Sequence, residues 1–124
     1  MRPMLASFEP LCYAALRVVA GFLMVFHGLQ KLFGLFGGTM VEALTQRWFG
    51  GIIELVGGAI VALGFFTSPA AFVLSGTMAV AYFQFHQPAG LLPIQNRGEL
   101  AALYCFVYLY IAARGTGRFG IDRH

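Results

Sequence analysis

From Leu55 to Phe85 the chain runs 31 residues without one charged side chain. A small soluble domain has a large surface for its volume and covers much of it with charge. Soluble domains carry about 25% Asp, Glu, Lys and Arg. Here charged residues make up 10% of 124, and hydrophobic residues make up 59%. That balance excludes an ordinary soluble globule, a disordered tail and a nucleic-acid-binding module. It leaves a small all-α integral membrane protein whose first partner is the lipid bilayer. The net charge of +3 then reads as topology, not as affinity for nucleic acid.

Glycine, proline and the few charges divide the chain into four expected helices at about 11–35, 49–66, 69–86 and 97–113. They form one domain over 1–124, a four-helix bundle. The first apolar segment is longer than the 7–15 residues of a signal-peptide core, and no A-x-A-like site follows it, so it is expected to stay uncleaved. Gly37-Gly38 is expected to end helix 1. Ser68 is expected to cap helix 3, with Pro69 at its first position. Pro88, Gly90 and Pro93 should keep 87–96 irregular.

With four spans, both termini and the turn at Thr67-Ser68 share one side. Arg2, Arg114, Arg118 and Arg123 lie there, against Arg47 and Arg97 on the other, so both termini are expected in the cytoplasm. Lipid gives helices no hydrophobic reason to associate, so small residues must let backbones approach. Gly21 and Gly28, Gly57, Gly58 and Ala62, and Ala71, Ser75 and Ala79 are read as such packing faces. Cys12 and Cys105 form no CxxC pair and no metal motif, and no disulfide between them is expected.

Charges inside a span cost roughly 2.5–3.5 kcal/mol each on insertion scales, so they face other helices or a wet cavity. Arg17, His27 and Lys31 fall within an arc of about 80° on helix 1. Chain direction brings the outer end of helix 1 to the level where helix 2 starts, helix 3 ends and helix 4 starts. This level is expected to hold a polar ligand or partner layer of His27, Lys31, Glu54, His86, Asn96 and Glu99. Lys31 is expected to pair with Glu54 first and Glu99 second. Each residue also has a plainer reading. Lys31 can snorkel to the headgroups. Asn96 and Glu99 fit a capping box. Arg17 stands apart on the cytoplasmic side and is assigned a structural role, snorkelling or bonding backbone carbonyls of a neighbouring helix. No two of these histidines and carboxylates have the i, i+3 or i, i+4 spacing of a metal motif, so no metal site is expected.

Several motifs occur in order along the chain: Arg17…Gly21…His27-Gly28-Leu29-Gln30-Lys31-Leu32, then Glu54-Leu55-Val56-Gly57-Gly58, then Leu63-Gly64-Phe65-Phe66-Thr67. Asn96-Arg97-Gly98-Glu99 and Gly115-Thr116-Gly117-Arg118-Phe119-Gly120-Ile121-Asp122 follow. The ordered set resembles the DoxX family. The resemblance implies a four-helix protein of a bacterial-type inner membrane. It also implies an association with sulfur-compound oxidation, quinone or redox stress, without a catalytic residue to transfer. The expected function is therefore an accessory subunit of a membrane redox complex, contacting other membrane or redox subunits and a quinone through the polar layer. Whether the chain is itself an enzyme stays open. The alternatives are a structural or chaperone-like membrane subunit and a small transporter, the last needing a homo-oligomer to form a path.

Overall fold

The computed structural model describes residues 1–122. Arg123, counted above among the basic residues, lies outside them. A 3-10 turn at Ala6–Phe8 leads into α1 (Glu9–Phe33), followed by α2 (Gln46–Leu63) and α3 (Thr67–Ala81). A π-helical turn, Tyr82–His86, carries α3 onward. A 3-10 turn (Gln87–Ala89), the one-turn helix α4 (Pro93–Asn96) and α5 (Glu99–Arg114) complete the set. The described residues contain no strand.

The helix ends follow local chemistry and correct several expected boundaries. Gly34, in the left-handed region at φ 68°, stops α1 before Gly37-Gly38 is reached. Thr45 accepts a hydrogen bond from Trp48 N, so α2 begins three residues earlier than expected. Gly64, at φ 74°, ends it. Phe66 occupies the cap position of α3, and Ser68 instead donates to Ala112 O at 2.6 Å. The 87–96 segment is less irregular than its prolines suggest, because Pro93 starts α4 where its missing N–H is harmless. Arg97 then adopts φ 59° and breaks the chain before α5.

α1 packs along α2, α3 packs along α5, and α2 joins the two pairs through α3. Glycine sets the first contact. A Cβ on Gly21 would stand 2.6 Å from Gly58 O and Ala62 N, and one on Gly28 would stand 2.6 Å from Leu55 N. Backbones this close pack well in lipid, where van der Waals contact replaces the hydrophobic drive. On the other pair, Ser75 Oγ donates to Cys105 O at 2.7 Å. The core gathers Met24, Val61, Leu74, Met78, Tyr104, Tyr108 and Ile111.

Large apolar side chains also cover the outside: Phe72, Phe83, Leu103 and Phe106 are each more than 60% exposed. Water penalises such a surface and hydrocarbon does not. Four spans are expected from the sequence; two stretches, Ala6–Phe33 and Gln46–Leu63, are by themselves long and apolar enough to cross a membrane. α3 alone has 15 residues and α5 has 16.

Candidate functional site

The expected polar residues separate into three places. The first is a cavity of about 830 Å³ between α1, α2, α3 and α5. His27 and Lys31 reach it from α1, Glu54 from α2, His86 from the π turn and Tyr104 from α5. Much of the remaining wall is apolar, with Met24, Phe49, Ile53, Val73, Met78, Val80 and Leu100. A second, more polar space, lined by Thr39, Glu42 and Thr45, borders it and shares His27, Lys31, Gln46, Arg47 and Phe85.

Inside the cavity wall Lys31 Nζ lies 2.6 Å from Glu54 Oε1. The antiparallel crossing fixed by Gly28 and Gly51 brings these side chains together: Gly51, one turn before Glu54, packs on the stem of Lys31. The pair is uneven. Lys31 keeps 26% of its side chain exposed and Glu54 only 3%. Glu54 Oε2 is buried and has no hydrogen-bond partner among the described residues. Tyr104 stacks on Tyr108, while His27 meets Tyr104 edge-on at 6.2 Å. Tyr108 spends its hydroxyl on Ala20 O at 2.6 Å.

Asn96 and Glu99 do not join this wall, and the capping box does not form. The left-handed Arg97 starts α5 at Glu99, which places Glu99 at the first helical position instead of the third. Glu99 is exposed beside Arg97, Ile94 and Leu103, in a separate shallow space. Asn96 is 4% exposed and works as a bracket: its side chain donates to Gly90 O and Tyr82 Oη and accepts from Gly98 N. His86 Nδ1 stands 3.2 Å from Asn96 O. A carbonyl only accepts, so Nδ1 is the donor in this bond.

The third place belongs to Arg17, 1% exposed and outside the cavity lining. Its guanidinium meets no carboxylate among the described residues. Nε donates to Val61 O at 3.1 Å, Nη1 to Thr116 O at 2.5 Å and Nη2 to Phe119 O at 2.7 Å. The arginine thereby binds the end of α2 to the segment after α5. That segment adds its own bonds: Thr116 Oγ1 to Thr67 Oγ1, Asp122 N to Gly64 O, and Phe66 N to Asp122 Oδ2. Nearby, Tyr13 donates to Gly115 O, and Arg114 pairs with Glu9 while lying 3.8 Å from the Tyr13 ring centre.

Sequence reasoning missed Tyr104 as a wall residue and missed the tail carbonyls of Thr116 and Phe119 that receive Arg17, while the α2 carbonyl of Val61 is the kind of partner expected for it. Tyrosines on an apolar helix look like packing, and backbone acceptors leave no trace in side-chain identity. No group of three or more His, Cys, Asp or Glu side chains gathers among the described residues. Cys12 and Cys105 are both free thiols.

No solved structure matches the chain. An uncharacterized protein of Haemophilus influenzae is 36% identical over 125 residues, covering 95% of this chain and 93% of its own. The DoxX family model matches residues 13–87, which holds the α1–α2 pair, Arg17, His27, Lys31, Glu54 and His86. On that match over most of its length, the chain belongs to the DoxX family of membrane proteins.

Proposed function

We propose that this protein is a multi-pass subunit of a bacterial-type inner membrane. In this reading its cavity takes a lipid-soluble ligand, a quinone in the first instance, on behalf of a membrane redox complex. The observation that supports a ligand site is the composition of the cavity: an apolar space of about 830 Å³ into which His27, Lys31, Glu54, His86 and Tyr104 bring a few polar groups. Ligand sites of small molecules have this make-up, an apolar lining with a few placed polar groups. The redox assignment rests on the family resemblance. The chain itself offers no metal cluster among its described residues and no paired cysteines to carry electrons. In this reading its contribution is to hold and orient the ligand beside another subunit. Arg17 is assigned to the scaffold, since all its bonds run to backbone.

Gly76 lines the cavity, and a Cβ placed there meets nothing within 4 Å. Gly76→Phe should therefore fill the space without disturbing a neighbour. The protein purified in native-lipid nanodiscs should retain a lipid-soluble molecule above its share of the bulk lipid, identified by mass spectrometry. Gly76→Phe should lose most of it. Equal retention by both proteins, or none by either, would overturn the ligand-site reading.

A further inference from the structure

One buried hydrogen-bonding group in the cavity wall lacks its complement. Lys31 gives one of its three N–H groups to Glu54 Oε1 and Gln46 one of its two to Gln84 Oε1, so both keep donors for a ligand, as His27 in the same wall does. Arg47 and Arg97 stand exposed. The group that only a ligand's donor can satisfy is Glu54 Oε2, buried and unpartnered. The Tyr104 hydroxyl serves either way. A buried acceptor without a donor costs about 1–3 kcal/mol, and more for a charged group. A ligand that brings an O–H recovers this cost, and a ligand that brings only carbonyl oxygens does not.

From this buried, unpartnered acceptor we infer that the cavity selects a ligand by its hydroxyl. Glu54 accepts the O–H of a phenol-type head, so the site holds the dihydroxy, reduced form of a quinone couple in preference to the dicarbonyl form. The inference rests on the ligand-site reading given above. Glu54 Oε2 is covered in the structure. A hydroxyl reaches it when the carboxylate turns about its last bond, a torsion with a broad profile. Lys31 holds the other oxygen at 2.6 Å and limits the turn.

The same geometry makes Glu54→Gln informative. Lys31 can only donate, so the amide must offer it oxygen. The –NH2 group then takes the position of Oε2, and an acceptor becomes a donor. The test measures binding of a short-chain ubiquinol and the matching ubiquinone under argon to the nanodisc-embedded protein, with an alkylphenol and its methyl ether as a pair that does not change redox state. Wild type should bind the quinol at least tenfold tighter than the quinone and the phenol tighter than the ether. Glu54→Gln should erase or reverse both preferences. Equal binding of both members of each pair, with Gly76→Phe still weakening all four, would overturn the hydroxyl selection while leaving the ligand site intact. No binding of any probe would overturn both. If Glu54→Gln does not fold, the phenol and ether on wild type decide alone.

Discussion

A buried guanidinium with no anion beside it survives only because each N–H that matters finds oxygen. Arg17 does this with backbone carbonyls on two separate segments. Lysine has the charge but not the planar fork, so it cannot bridge them. Arg17→Lys and Arg17→Leu should both lower stability, by about 1–3 kcal/mol for each carbonyl left unpaired. Thermal unfolding in nanodiscs would check this. Stability within error of wild type for Arg17→Leu would refute the clamp. The Lys31–Glu54 pair makes an asymmetric prediction. Lys31→Met strands a carboxylate that is 2% exposed and should cost about 3 kcal/mol, the low end for breaking a buried pair. Glu54→Gln should cost less, because Lys31 keeps an amide acceptor and partial access to water. The double variant should lie closer to wild type than the sum of the two. Strict additivity would mean the charges do not couple. The pair was legible in the sequence from depth and helix neighbourhood alone. Carbonyls of a neighbouring helix were likewise expected for Arg17, as Val61 O is, but those of Thr116 and Phe119 were not, because a carbonyl belongs to every residue.

At the scale of elements, the glycines divide by what stands opposite them. Gly21 and Gly28 have backbone atoms of α2 at 2.6 Å from an added Cβ, and helix backbone cannot step aside as a side chain can. Gly28→Leu should push α1 from α2 and separate Lys31 from Glu54, giving loss of folded protein in a detergent-stability assay. Gly50 and Gly76 face open space. Alanine there should be tolerated, with a gain of about 0.5–1 kcal/mol from helix propensity. A cost at Gly76→Ala would argue against an open cavity wall. The small-residue faces were readable because lipid forces close packing through them. The start of α5 was not, since Asn96-x-x-Glu99 satisfies a local rule that the left-handed Arg97 overrides. α4 shows the same limit: three prolines and glycines announce a loop, while Pro93 nucleates a turn of helix.

For the whole molecule, the proposed topology places both termini in the cytoplasm. The structure guides where to test it. Leu91 is 78% exposed in the segment after the π turn, and Phe119 is 54% exposed in the tail. In a cysteine-free background, an impermeant thiol reagent added outside the cell should label Leu91→Cys and spare Phe119→Cys. The reverse pattern would invert the orientation and turn the cavity's polar end to the cytoplasm.

The tail clamp also bears on how the chain is made. Arg17 and Thr116 are 99 residues apart, yet one completes the bonding of the other. At about 5–20 residues per second, roughly 5–20 s pass between their emergence from the ribosome. Through that interval the arginine has only the α2 carbonyls or water to meet. Insertion of α1 therefore precedes the bonds that make its charge tolerable, and final closure waits for the segment around Thr116. A ribosome stalled before that segment would hold a chain whose first helix is still seeking a partner, and quality-control proteases would find it there.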